Sequence, residues 1–188
     1  MLSVSHVIVG VTNLGPDKRI CIWFSGCSKH CAGCCAPELQ SADSGKLYSC
    51  DDLALFLNCK LISTGIDSIT ISGGDPLEQN KEEFIAFLKQ LLFKDILIYT
   101  GYTEEDIKKL GWYEPLSEIG VTLVCGRYIK DQDKGHPLMG SSNQTMIFFN
   151  PENKYKYDKW ICYRGREIQL YRSEDKIYYT GLASLKEE

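Results

Sequence analysis

Residues 27–34 read CSKHCAGC and place three thiols within one short loop. Cys27, Cys31 and Cys34 are separated by four and then three positions. Three soft thiolate ligands this close together can hold three irons of a four-iron cluster and leave the fourth iron without a protein ligand. An iron with an open coordination position can bind a small molecule, so the stretch predicts a metal centre that takes part in chemistry.

A zinc site is the alternative interpretation of the same cysteines, with His30 or Cys35 as the fourth ligand. Zinc sites usually combine one short cysteine pair with a second pair farther along the chain. Four of the remaining cysteines are instead scattered singly, at Cys50, Cys59, Cys125 and Cys162. The spacing therefore favours the cluster and leaves zinc as the alternative.

The composition is typical of a globular protein. The chain has 188 residues, of which 44% are hydrophobic and 24% charged, with a net charge of -4. No basic run points to a nucleic-acid partner, and no apolar run is long enough for a membrane span or an export signal. Nine cysteines without such a signal indicate reduced thiols, so we expect a cytoplasmic protein that binds neither nucleic acid nor a membrane.

Strand-like and helix-like segments alternate along the chain. Strands are predicted over residues 18–25, 66–72, 95–100 and 121–125, and helices over 49–61, 81–93 and 103–110. This order predicts an α/β protein with parallel strands and helices packed outside them. The carboxyl ends of parallel strands share one edge of a sheet, where α/β proteins bind ligands. The cysteine loop and residues 72–76, 99–102 and 125–127 all follow predicted strands, so we expect them to form one pocket.

The chain resembles a known family in several short blocks. The cysteine spacing is similar to the signature of the radical S-adenosylmethionine (SAM) superfamily. More narrowly, the chain resembles the anaerobic ribonucleoside-triphosphate reductase-activating proteins, which are small activases of glycyl-radical enzymes. The blocks that carry this resemblance are Leu14-Gly15-Pro16 with Arg19, Ser25-Gly26-Cys27, Ala32-Gly33-Cys34, SGGDPL at 72–77, TGY at 100–102 and GSSNQ at 140–144.

The resemblance implies a fold, two cofactors and partners. The fold would be a shortened, open (partial) β/α barrel of the radical SAM type. The cofactors would be a [4Fe-4S] cluster and SAM, which the reduced cluster cleaves to methionine and a 5′-deoxyadenosyl radical. That radical would remove a hydrogen atom from a glycine of the partner, a glycyl-radical enzyme similar to anaerobic ribonucleotide reductase. A reduced flavodoxin-like protein would donate the electron.

The resemblance also implies the site residues. Cys27, Cys31 and Cys34 would be the cluster ligands, with no other catalytic residue. Contacts to the cofactors are expected from Gly33, Cys34, Cys35, Ser72, Gly73, Gly74, Asp75, Tyr99, Thr100 and Gly101. Two of these have an alternative role: Asp75 could cap the segment that follows it, and Tyr99 could pack in the core.

The end of the chain departs from the family. Residues 1–145 are predicted to form the radical SAM core domain, and residues 146–188 a C-terminal β-rich extension packed on the core. Alternation at Ile168, Leu170, Ile177 and Tyr179 predicts a β-hairpin there, with Ser173-Glu174-Asp175 between its strands. Asp17, Cys125 and Leu138-Met139 also stand where the family carries other residues, which leaves the partner open.

The sequence leaves three hypotheses for the function of the chain. The first is an activase of anaerobic ribonucleoside-triphosphate reductase. The second is a radical SAM enzyme that acts on a different protein, a peptide or a small molecule. The third is a zinc-stabilised binding module without enzymatic activity.

Overall fold

The computed structural model describes residues 1–173 and 176–182 of the chain. Its helices and strands follow in the order β1 (Leu2–Val11), β2 (Arg19–Phe24), β3 (Lys46–Tyr48), α1 (Cys50–Thr64), β4 (Ser68–Gly73), α2 (Lys81–Gln90), β5 (Asp95–Thr100), α3 (Glu104–Lys109), α4 (Tyr113–Ile119), β6 (Thr122–Cys125), β7 (Thr145–Phe148), α5 (Pro151–Tyr163), β8 (Gln169–Ser173) and β9 (Lys176–Thr180). The α/β class predicted from the sequence is confirmed.

Seven strands form one sheet in the order β3-β1-β2-β4-β5-β6-β7. Its centre consists of β2, β4, β5 and β6, which run parallel to one another. These are the four strands that the alternating pattern predicts. Antiparallel strands flank this centre, with β1 and β3 on one side and β7 on the other. The sheet is therefore mixed, and its parallel part carries the predicted ligand-binding edge.

Local sequence explains where the helices begin. The Ser49 side chain caps α1 by accepting a hydrogen bond from the Asp52 backbone N–H at 3.1 Å. Thr103 and Asp106 form a reciprocal capping box at the start of α3. Both caps agree with the sequence prediction. Helix α2 begins at the predicted residue but ends before the predicted Phe93, because Leu91 already has an extended backbone.

Apolar layers cover both faces of the sheet. Successive strand residues point to opposite faces, so Ile98 of β5 packs with helices α1 to α4, while its neighbour Leu97 packs on the other side. That second face is covered by helix α5, whose Tyr157 is fully buried, and by the hairpin of β8 and β9. No helix within the described ranges is long and apolar enough to cross a bilayer.

The predicted C-terminal hairpin is confirmed by the antiparallel pairing of β8 with β9. Ser173, which was predicted to lie between the strands, is instead the last residue of β8, because its backbone still pairs with β9 at Lys176. Glu174 and Asp175, predicted to lie there too, fall outside the described residues. The predicted division of the chain at residue 145 falls at the start of β7, the last strand of the main sheet.

Sequence patterns did not predict β1, β3, β7, α4 or α5. The start of α5 had a recognisable signal. Asn150 caps the helix by accepting a hydrogen bond from the Glu152 backbone N–H at 3.1 Å, and Pro151 occupies the first helical turn.

Arg19 is fully buried at the amino ends of the parallel strands. Its guanidinium donates hydrogen bonds to Asp95 Oδ2 at 2.9 Å, to Thr70 Oγ1 at 2.7 Å and to the Pro16 carbonyl at 2.9 Å. Tyr157 of α5 donates to the other oxygen of Asp95 at 2.9 Å. Burial opposes ionisation of Asp95, yet the Arg19 charge holds its pKa below the usual value. This buried network thus joins the opening loop, the strands β2, β4 and β5, and α5.

Replacing Arg19→Met is expected to lower the free energy of unfolding by about 3–5 kcal/mol, because it leaves the Asp95 carboxylate buried without its main partner. Urea denaturation of the metal-free chain measures the change. Lys94→Met is the control, since it removes the exposed pair between Lys94 and Asp67 and should cost less than about 1 kcal/mol. Equal effects of the two substitutions would contradict the structural role assigned to Arg19.

Candidate functional site

The carboxyl ends of β2, β4, β5 and β6 surround a cavity of about 140 Å³. The cysteine loop, residues 27–35, forms one of its walls. Every metal ligand and cofactor contact predicted from the sequence lines this cavity: Cys27, Cys31, Gly33, Cys34, Cys35, Ser72, Gly73, Gly74, Asp75, Tyr99, Thr100 and Gly101. The structure therefore brings distant segments together as expected, while the ligand role of each residue stays a prediction.

Seven further residues line the cavity without having been predicted as contacts: Lys29, Gln40, Gly126, Tyr128, Gly140, Gln144 and Leu182. Gly126 follows a predicted strand, and Gly140 and Gln144 belong to the GSSNQ block, so the sequence carried a signal for these three. Lys29 also had a signal, since it lies between two predicted ligands. Tyr128 and Leu182 come from segments without a motif.

Lys29 joins the cysteine loop to the ends of β4 and β5. Its ammonium lies 2.7 Å from Asp75 Oδ2, 2.6 Å from Glu78 Oε1 and 3.5 Å from the centre of the Tyr102 ring. Only 9% of the Lys29 side chain is exposed. Burial disfavours the charged amine, but the two carboxylates outweigh this effect and raise the pKa of Lys29. Lys29 is therefore a buried cation held between two anions.

Hydrogen bonds from Ser28 and Arg127 also hold the cysteine loop in place. The Ser28 backbone N–H donates to Glu78 Oε2 at 2.7 Å, and its hydroxyl donates to Oε1 at 2.8 Å. Arg127, just after β6, donates to the Lys29 carbonyl. A Cβ atom at Gly101 would lie 2.3 Å from Lys29 Cδ, so glycine leaves the space that the lysine chain occupies. Protein contacts alone thus fix the loop between Cys27 and Cys31.

The Gly73-Gly74 pair lets the end of β4 pack directly on the beginning of the cysteine loop. The Gly74 N–H donates to the Phe24 carbonyl at 2.8 Å. A Cβ atom at Gly73 would lie 2.1 Å from the Phe24 carbonyl oxygen, and one at Gly74 would lie 2.4 Å from that of Gly26. The fold itself therefore requires both glycines, and their bare backbone forms part of the cavity wall.

Asp75 is engaged by the protein on both carboxylate oxygens. Oδ1 accepts a hydrogen bond from the Leu77 N–H at 3.0 Å, which is the capping role considered from the sequence. The Thr100 hydroxyl and the Gly101 N–H also donate to this carboxylate, each at 2.9 Å. With Lys29 as its ion-pair partner, Asp75 connects three segments of the cavity wall.

The hydroxyl of Tyr99 is buried on the cavity wall without a hydrogen-bond partner among the described residues. Burial raises the pKa of Tyr99, so the hydroxyl remains a donor at neutral pH. A buried polar group left unpaired costs about 1–3 kcal/mol. The ring of Tyr99 packs against core residues. Tyr99 can therefore pack in the core and contact a ligand at the same time. A polar ligand in the cavity would supply the missing partner.

The donor set fits a cluster together with a polar ligand. No three His, Cys, Asp or Glu side chains in the described part of the chain converge closely enough to hold a single metal ion. A four-iron cluster binds each thiolate at a different iron, so its cysteines surround a cube rather than one point. His30, the possible fourth zinc ligand, is exposed, and its Nδ1 lies 2.8 Å from Gln40 Oε1. The other possible ligand, Cys35, has its pKa raised by burial to about 11.

Comparisons with known proteins agree with this site. Residues 13–147 match a family model described as a 4Fe-4S single cluster domain. The chain is 33% identical over 149 residues to the anaerobic ribonucleoside-triphosphate reductase-activating protein of Enterobacteria phage T4, which covers 77% of this chain and 92% of the relative. It is 30% identical over 141 residues to the proteins of that name from Escherichia coli (strain K12) and Salmonella typhi, with 70% of this chain and 89% of each relative covered.

Replacing Lys29→Met is expected to loosen the cysteine loop, because Asp75 and Glu78 then face each other without the cation between them. Amide hydrogen exchange of the metal-free chain should accelerate on the order of tenfold within residues 27–35. Lys134→Met, in an exposed loop, is the control and should leave that exchange unchanged. Unchanged exchange in the Lys29 variant would show that other contacts hold the loop.

Replacing Tyr99→Phe is expected to leave the stability of the metal-free chain unchanged or slightly higher, because the hydroxyl that is lost has no partner. Replacing Tyr157→Phe should instead lower the free energy of unfolding by about 1–3 kcal/mol, since Asp95 loses a buried hydrogen bond. Urea denaturation compares the two variants. A comparable loss from Tyr99→Phe would mean that this hydroxyl already has a partner within the protein.

Proposed function

The chain belongs to the family of the anaerobic ribonucleoside-triphosphate reductase-activating proteins, and from this premise we propose that it generates a glycyl radical on an anaerobic ribonucleoside-triphosphate reductase. In this proposal it is a radical SAM enzyme with a [4Fe-4S] cluster and SAM as cofactors. When bound, the reduced cluster supplies the electron that cleaves SAM and so initiates hydrogen abstraction from the glycine.

One observation carries the proposal. The cavity is lined by the three loop cysteines, by glycine backbone at the ends of two strands, and by the buried Tyr99 hydroxyl, which has no partner within the described part of the chain. Three protein thiolates leave one iron of a four-iron cluster without a protein ligand. A polar organic ligand that reaches this iron would fill the remaining cavity and could accept a hydrogen bond from Tyr99. A site for a cluster that only carries electrons would not need this space.

The chain's own residues have distinct roles in the proposal. Cys27, Cys31 and Cys34 hold the cluster as thiolates. Lys29 and Glu78 keep the loop between two of these ligands in place, so that little order has to be gained when the cluster assembles.

The contacts to SAM are proposed along the cavity wall. The backbone of Gly73 and Gly74 faces the amino-acid end of the ligand, with Ser72, Thr100 and Gly101 beside it. The backbone of Gly33, Cys34 and Cys35 faces the nucleoside end. Asp75 acts indirectly, because its carboxylate is already occupied by protein donors. Tyr99 donates its hydroxyl to the ligand.

Further parts of the proposal follow from the family. The mixed sheet would correspond to the shortened, open barrel of the radical SAM type, with residues 146–188 as an extension of the core domain. The electron would come from a reduced flavodoxin-like protein. A cluster with an open iron requires reducing surroundings, which the cytoplasm provides.

A radical SAM enzyme that acts on another protein, a peptide or a small molecule is the second candidate. One observation favours it: helix α5 and the hairpin lie beyond residue 147, where the match to the family model ends. Additional structure near the site can change the substrate while the cluster chemistry stays the same.

Replacing Cys31→Ala is expected to abolish assembly of a full cluster, because one iron loses its thiolate. Cys59→Ala is the control, since Cys59 is an exposed cysteine of α1 away from the loop. After anaerobic reconstitution, the wild type and the control should each contain about four irons and four sulfides per chain. With reductant they should cleave SAM to 5′-deoxyadenosine, and after mixing they should produce a glycyl radical on the reductase by electron paramagnetic resonance.

Each result distinguishes the candidates. A full cluster in Cys31→Ala contradicts the ligand assignment. SAM cleavage without a radical on the reductase supports the second candidate. A colourless protein that holds one zinc ion and does not cleave SAM supports the zinc-stabilised binding module.

A further inference from the structure

The C-terminal hairpin exposes its apolar side chains to solvent. Leu170 is 72% exposed and Ile177 is 73% exposed, with Ile168 and Tyr179 on the same face. Arg172 pairs with Ile177 and adds one positive charge to this face. We call these five residues the hairpin face. When apolar residues alternate along a strand, the face that carries them is normally buried. In this hairpin the apolar face is exposed instead.

The opposite side of the hairpin explains this orientation, because Tyr171 and Tyr178 pack there against the sheet and polar groups form hydrogen bonds beside them. Gln169 exchanges hydrogen bonds with Thr12, accepting from its N–H at 2.9 Å and donating to its hydroxyl at 2.6 Å. Asn13 donates to the Thr180 carbonyl at 2.7 Å, and Tyr171 donates to the Gly10 carbonyl at 3.2 Å. These bonds fix the hairpin to the end of β1 and to the residues that follow it. The apolar side chains of the hairpin face therefore remain exposed to solvent.

The hairpin face is continuous with the candidate site. The Tyr179 hydroxyl donates to the Cys35 carbonyl at 3.1 Å, within the cysteine loop. Ile177 and Tyr179 also line a second cavity of about 170 Å³. The two cavities share four wall residues, namely Cys35, Ser72, Gly73 and Leu182. The hairpin therefore borders the wall that the two cavities share.

We propose that the hairpin face is a docking surface for the protein whose glycine is activated, a proposal that rests on the proposed function. A protein substrate has to place one residue at the cavity while the rest of its surface contacts the rim of the site. Exposed aliphatic and aromatic side chains with an arginine at their edge are typical of such contacts. The hairpin lies beyond residue 147, outside the matched family model, so it supplies recognition particular to this chain.

The test compares two matched double variants of the full chain. Leu170→Lys with Ile177→Lys places two charges on the hairpin face. Leu55→Lys with Ile62→Lys makes the same changes on α1, at positions that are 64% and 73% exposed on the opposite side of the sheet. Each reconstituted protein is assayed for SAM cleavage alone, for anaerobic binding to the purified reductase of the same organism, and for the glycyl radical yield on that reductase.

The hairpin variant should cleave SAM as the wild type does but bind the reductase on the order of tenfold more weakly, with a lower radical yield when the reductase is limiting. The α1 variant should match the wild type throughout. Wild-type binding by the hairpin variant would overturn the proposal, and so would a parallel loss of SAM cleavage. A dimer of the wild type that the hairpin substitutions dissociate would assign the face to a second copy instead.

The same experiment separates this proposal from the one on which it rests. A wild-type protein that cleaves SAM but produces no radical on the reductase removes both proposals. A wild-type protein that activates the reductase, with a hairpin variant that activates it equally well, removes only the docking surface.

Discussion

The candidate site depends on one buried interaction, the Lys29 ammonium between the carboxylates of Asp75 and Glu78. A cysteine loop has few apolar side chains of its own, so packing cannot hold it in a single shape. The ion pair provides this order, Ser28 adds hydrogen bonds from the same loop, and Arg127, just after β6, donates to the Lys29 carbonyl. The loop thereby becomes a wall of the cavity at the carboxyl ends of the four parallel strands. The three cysteines that we propose as cluster ligands are therefore positioned by contacts of the protein itself.

A second buried cation organises the other end of the sheet. Arg19 bonds with Asp95, Thr70 and the opening loop at the amino ends of the strands, away from the cavity. The opening block of Leu14-Gly15-Pro16 with Arg19 therefore stabilises the fold and does not contact the candidate site. Tyr157 extends this network to α5, so the end of the chain is attached to the core through the same Asp95 carboxylate.

The strongest sequence signals were local. Short β-rich runs predicted the four parallel strands, and capping residues predicted the starts of α1 and α3, because both effects act between residues close in the chain. The edge strands β1, β3 and β7 were missed, since their pairing depends on neighbours that the pattern alone does not identify. Tyr99 could be read as a core or a ligand residue, and only its three-dimensional surroundings show a buried hydroxyl beside the cavity without a partner among the described residues.

The sequence by itself predicted an iron–sulfur cluster, in agreement with the matched family model, because the spacing of cysteines in a short loop does not depend on how the rest of the chain is arranged. It also determined that glycine-rich segments would meet that loop, because parallel strands carry their ends to one edge. The tertiary structure alone decided how the loop is held and which way the hairpin faces. Those features arise from contacts such as Lys29 with Glu78 and Gln169 with Thr12, whose partners lie far apart in the chain and leave no periodic trace in it.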